Sequence, residues 1–222
     1  VYTIPSKGTA FTFIGGKVPG SPDGILQAGE AMFIPEGAVL AFQIHFVTTG
    51  KEETNRMSVG FDYAEGKINR LVKNMFIENG SFNIPASHPS YEVRAASTLS
   101  EDVIGRALFS HMHLRGKDMS FVARYPDGTT ENMLTVPNYS FDWQQVYEWE
   151  PDTKFFPKGT KFELTAHFDN STFNPYNPDP TVAVQYGLQT HHEMMIGVFY
   201  YSKDIEDQNL IVNPVDGSAT RG

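Results

Sequence analysis

Cysteine is absent from all 222 residues. That excludes thiolate zinc sites, blue-copper sites, thiolate-held iron–sulfur clusters, covalent c-type haem attachment and any thiol nucleophile. Metal chemistry is left to histidine, methionine, carboxylate or backbone oxygen. The absence does not fix the compartment, because disulfides are permitted but not required outside the cell. Positive charge is scarce: 17 Lys and Arg stand against 26 Asp and Glu, for a net charge of −9 and no Lys/Arg-rich run. Nucleic acid is therefore not an expected partner. No apolar stretch is long enough to span a membrane. No charged-then-apolar leader is visible from Val1 onward, so the chain reads as a mature product or as a piece of a longer one. Long helical periodicity is missing as well.

Aromatics, glycine and proline are plentiful, and turn signals recur at Gly15-Gly16, Pro19-Gly20, Pro22-Asp23-Gly24 and Pro35-Glu36-Gly37. An all-β protein is expected. Strands are predicted at 31–34, 38–47, 57–63, 67–77, 107–114, 119–125, 130–136, 141–149, 160–168 and 191–201. Within 38–47, Leu40, Phe42, Ile44 and Phe46 make one apolar face, opposite Gln43 and His45. The strand–turn–strand signal around Pro126-Asp127-Gly128-Thr129 is the strongest local hairpin signature. In 160–168, Phe162, Leu164, Ala166 and Phe168 share a face and His167 lies on the other. Residues 48–55 read as a linker or domain edge, 81–93 and 169–180 as irregular, and 203–222 as a polar, mobile tail.

The segment Phe109-Ser110-His111-Met112-His113-Leu114-Arg115-Gly116-Lys117 concentrates the chemistry. On a strand, residues i and i+2 point the same way, so His111 and His113 present two imidazoles side by side. Leu108, Met112 and Leu114 form the opposite, core-directed face. Two neutral imidazoles on one strand make a metal half-site. The run His191-His192-Glu193-Met194-Met195 supplies the ligand types that this pair lacks. A thioether favours Cu(I), and His₂Met suits a copper ion that cycles. Zinc would prefer a third histidine or a carboxylate, for which His191, His192, His167 or Glu193 would serve. The alternative is that Met194 and Met195 are ordinary core residues. A further alternative is a carbohydrate- or protein-binding surface built on Trp143, Tyr147 and Trp149.

His111-Met112-His113-Leu114-Arg115-Gly116-Lys117, followed by Glu193-Met194-Met195, resembles the copper type II, ascorbate-dependent monooxygenases. That family includes peptidylglycine α-hydroxylating and dopamine β-monooxygenases. Ala166-His167-Phe168-Asp169-Asn170, Asn177-Pro178-Asp179-Pro180 and Phe42-Gln43-Ile44-His45-Phe46 strengthen the likeness, which is closer to bacterial members and spans about residues 38 to 201. The resemblance implies jelly-roll-type antiparallel β-sandwich domains. Residues 1–52 would be the C-terminal remnant of a first copper domain, 53–202 a complete second, oxygen-activating domain, and 203–222 a tail. It implies copper held by His111, His113 and Met194, with Gln43 and His45 belonging to an electron-transfer copper. It further implies O₂ and a small-molecule substrate, ascorbate as reductant, an extracellular or periplasmic location, and further domains or chains upstream of Val1. The chain departs from the family's pattern in three ways. Residues 1–44 contain no histidine for the electron-transfer pair. Phe109 stands where peptide-hydroxylating members carry Arg, and Ile196 and Val198 stand where they carry Asn and Tyr. The disulfides of the animal enzymes are absent. A non-catalytic copper-binding or structural β-sandwich module is the competing expectation.

Overall fold

The computed structural model describes residues 2–4, 12–21, 26–46, 49–204 and 207–222. The turn expected at 22–24 and residues 47–48 lie outside the described residues. Among those described there is no helix, and the protein is all-β, with antiparallel sheets forming a β-sandwich. The chain gathers into two compact units, one of 1–16, 26–72 and 206–222, the other of 17–25 and 73–205. The division expected at 52/53 falls within the first unit.

The first unit holds β1 (Tyr2–Ile4), β2 (Thr12–Phe13), β3 (Glu30–Ala31), β4 (Val39–Ala41), β5 (Gly66–Ile68) and β6 (Arg70–Leu71). The second holds β7 (Lys73–Glu78), β8 (Asn83–Ile84), β9 (Tyr91–Thr98), β10 (Val103–His111), β11 (Gly116–Arg124) and β12 (Thr130–Val136). It continues with β13 (Val146–Glu148), β14 (Phe155–Phe156), β15 (Lys161–Phe168), β16 (Val184–Gln185) and β17 (Ile196–Lys203). The chain then returns to the first unit as β18 (Leu210–Val212) and β19 (Ala219–Arg221).

In the first unit, β2-β1-β4 and β19-β18-β5 form three-stranded sheets, and β3 pairs β6 in parallel. Two expectations are corrected here. The strand predicted over 38–47 is only Val39–Ala41, and no strand covers 57–63 among the described residues. Phe42, Ile44 and Phe46 alternate as predicted yet are exposed. Alternation marks a side chain pattern, but a strand exists only where a neighbour takes its N–H and C=O groups. The tail is also more ordered than its polar composition suggested, since Leu210–Val212 pairs with Gly66–Ile68.

The second unit is the sandwich proper. One sheet runs β13-β10-β17-β7, with β14 also pairing β10, and the other runs β12-β11-β15-β9. Period-2 alternation explains the second sheet directly. Phe162, Leu164, Ala166 and Phe168 are all buried, and the β11–β12 hairpin closes through Gly128, whose φ of 88° suits the turn. Leu108 and Phe199, paired across β10 and β17, face this layer from the first sheet. Phe199 meets Phe162 with ring centroids 4.5 Å apart. Gly197 marks how closely the sheets approach, because a Cβ there would lie 2.6 Å from Phe121 Cε1 and would also run into Leu164. Trp149 packs on Phe156 and Phe199 and so belongs to this core rather than to a surface shared with exposed Trp143.

Gly197→Ala is expected to overpack the sandwich and cost about 1–3 kcal/mol. Urea unfolding should show a lower midpoint with an unchanged slope. A midpoint equal to wild type would mean that the sheets are not pressed together at this residue.

Candidate metal centre

β10 belongs to one sheet and β11 to the other, so residues 112–115 carry the chain across the edge of the sandwich. The strand expected over 107–114 therefore ends at His111. His113 lies past it and is buried, and Leu114 sits in the turn instead of the core. Leaving the ladder deprives these residues of strand partners, and buried peptide groups need replacements. Seven of these groups have an identifiable replacement. The Tyr139 hydroxyl accepts from the Met112 N–H at 3.0 Å and donates to the Met112 carbonyl. Glu193 accepts from the His113 N–H at 2.9 Å through Oε2 and from the Arg115 N–H at 2.6 Å through Oε1. The His113 carbonyl accepts from the Gly116 N–H, the Leu114 carbonyl from Asn174 Nδ2, and the Arg115 carbonyl from the Asp169 N–H.

The Arg115 side chain, fully buried, donates from Nε to Asn170 Oδ1 at 2.8 Å and from a guanidinium nitrogen to the His191 carbonyl at 3.0 Å. Asn170 in turn donates to the carbonyls of Pro85 and Val182. Burial pushes the Glu193 carboxyl up to about 8, against the pull of the two backbone N–H groups and the Arg115 charge.

The two imidazoles lie edge to face, with ring centroids 5.2 Å apart. His113 Nδ1 is 3.1 Å from the His192 carbonyl oxygen. A carbonyl only accepts, so Nδ1 carries the proton and Nε2 the lone pair. His111 Nδ1 is 2.8 Å from Gln144 Oε1. The amide orientation follows from its other end, where Nε2 donates to the Phe141 carbonyl at 2.8 Å. His111 is therefore also protonated at Nδ1. An oxygen acceptor on one ring nitrogen, with the lone pair on the other, is the arrangement of metal-ligating histidines.

The ladder between β10 and β17 ends at the pair His111–Ile196. Met112 and Met195, beyond it, are both fully buried in the core cluster, and Met194 is buried outside that cluster. No protein-family model matches this chain, and no curated protein matches it.

The remaining sequence candidates lie elsewhere. Gln43 and His45 belong to the first unit, in the exposed segment after β4. His167 is engaged with Asp118 at 2.6 Å on the outer face of the four-stranded sheet. The rings of His191 and His192 lie against each other at a tilt of 55°, with centroids 4.3 Å apart. Among the described residues no three His, Asp or Glu side chains converge as a metal-binding group. Among those residues a zinc site of histidines and carboxylates is thus not formed, whereas a His₂Met set is of another kind. Sequence reasoning missed Gln144, Tyr139 and Asn170, and it weighed Glu193 only as a ligand. No local signal marks them, since each acts on residues 27 to 80 positions away.

Glu193 sets a pH dependence. Its carboxyl keeps a proton in the folded state that the unfolded chain releases near its ordinary value of 4.5. That contribution is complete below the unfolded value and is lost as pH rises through about 8. Glu193→Gln has no proton to lose. Urea unfolding of both proteins from about pH 5 to about pH 8 should show the wild type losing stability relative to the variant. A difference that stays constant with pH would contradict the assignment.

Proposed function

We propose that this chain carries the oxygen-activating copper centre of an O₂- and ascorbate-dependent monooxygenase that hydroxylates a C–H bond of a small molecule. His111, His113 and Met194 would hold the metal. The observation that supports this reading is the pair of imidazoles, with ring centroids 5.2 Å apart, each held at Nδ1 by an oxygen acceptor. Two neutral nitrogens and one soft sulfur match Cu(I) better than zinc. Copper, when bound, supplies redox chemistry toward O₂.

The protein's part is to fix these donors. The Tyr139 hydroxyl holds the N–H and carbonyl of Met112 between the histidines, and Glu193 holds the N–H groups of His113 and Arg115, on either side of Leu114. The sheet face around His111 is apolar, with Ile196 opposite it and Phe109 opposite Val198. Phe109 stands in that row where peptide-hydroxylating members of the family carry arginine, which supports a substrate other than an α-carboxylate peptide. Gln43 and His45 would contribute to an electron-transfer copper in a first jelly-roll-type domain. An extracellular or periplasmic location goes with this reading.

Wild-type protein should bind one Cu(I) tightly through the second unit. Met194→Ala should lower the affinity roughly ten- to a hundredfold, and His111→Ala/Met194→Ala should abolish the site. Competition titration with a Cu(I) chelator measures this, and binding unchanged in the double variant would sink the assignment. The absence of histidine from residues 1–44 favours a second reading, a copper-binding module without turnover. Ascorbate-dependent oxygen uptake by the copper-loaded protein separates the two: uptake supports the monooxygenase, and binding without uptake supports the module.

A further inference from the structure

We infer that Gln144 is a positioning residue that holds His111 as an Nε2 donor and, by being an amide rather than a carboxylate, sets the site's preference for Cu(I) over divalent metal. This inference rests on the copper reading above. Gln144 is 1 % exposed although it lies in a loop, between the β11–β12 hairpin and β13. A buried glutamine needs partners at both ends of its amide, and it has them in His111 Nδ1 and the Phe141 carbonyl.

Its backbone is pinned as well. The Gln144 N–H donates to the Pro19 carbonyl at 3.0 Å. Gly20 makes that approach possible: its φ is +78°, and a Cβ there would lie 2.8 Å from Trp143 Cα and 3.0 Å from the Gln144 nitrogen. The segment from Lys17 to Ser21 is thus a seat for the loop that carries Gln144, which explains why it packs with the second unit.

Charge gives the amide its second role. His113 is oriented by a backbone carbonyl, which is also neutral. Glu193 directs one oxygen at each of two backbone N–H groups. The candidate ligand set and both of its orienting acceptors therefore carry no negative charge. A carboxylate beside Nδ1 makes an imidazole a more basic ligand and favours the more highly charged ion. An amide orients the ring without that bias.

Two variants and two measurements test this. In metal-free protein labelled with ¹⁵N-histidine, long-range proton–nitrogen correlation should show His111 protonated at Nδ1. In Gln144→Leu the same residue should become a mixture of tautomers, and its Cu(I) affinity should fall roughly tenfold or more. Gln144→Glu, nearly the same shape, should keep Cu(I) binding while gaining affinity for Cu(II) and Zn(II). Each tenfold gain of Cu(II) over Cu(I) lowers the potential by about 59 mV. If Gln144→Leu does not fold, Gln144→Glu decides alone.

The inference is overturned if His111 is protonated at Nε2 in the wild type. It is equally overturned if neither variant changes metal preference or potential. Wild-type protein with the Nδ1–H tautomer but no affinity for copper would instead overturn the copper reading and with it the role in metal preference, leaving only the orienting role of Gln144.

Discussion

A chain that passes from one sheet of a sandwich to the other must abandon its ladder, and at a buried edge the abandoned peptide groups need new partners. The second unit depends on how that need is met between β10 and β11. Two side chains, Tyr139 and Glu193, take over three N–H groups and one carbonyl of the crossing. Both come from distant parts of the chain, so the crossing takes its shape only when the whole unit has assembled. The histidines borrow that rigidity, because His113 sits on a peptide whose N–H is held and His111 is the last residue of a central strand.

Beneath the crossing lies a polar network that an apolar core would not need. Arg115 is fully buried, and Asn170 joins it to the carbonyls of Pro85 and Val182 and accepts from Asn177. Such groups contribute little net stability compared with apolar side chains of equal volume, since their desolvation offsets their attraction. Their effect is geometric. Asn170 links three loops, 85–88, 115 and 177–182, to one amide. With both donors and the acceptor of the Asn170 amide engaged, the network favours one arrangement of those loops and penalises the rest.

Much of the sandwich is legible in local pattern. The alternation in 160–168 gave its buried face residue by residue, and the Asp127-Gly128 turn gave the β11–β12 hairpin. The two histidines and the Glu-Met pair also stand out by type and spacing. The same logic failed at 42–46 and 57–63, where alternation is present but pairing is not. It failed again at 141–149, read as a strand, where only Val146–Glu148 is one and Gln144 turns inward from a loop. Periodicity reports which face a side chain prefers. It carries no information about which remote carbonyl or amide will meet a glutamine, an asparagine or a buried carboxylate.

Residues 191–195 compress many tasks into one stretch. The His191 carbonyl holds Arg115, and the His192 carbonyl orients His113. Glu193 secures the crossing, and Met195 fills the core. Four of these five consecutive positions thus meet four different neighbours. A substitution here removes one task and leaves the others in place. An inserted or deleted residue shifts the phase of all of them together, turning the core methionine outward and the carboxylate away from its amides. Lineages carrying this arrangement should therefore vary in side chain along this stretch far more readily than in length.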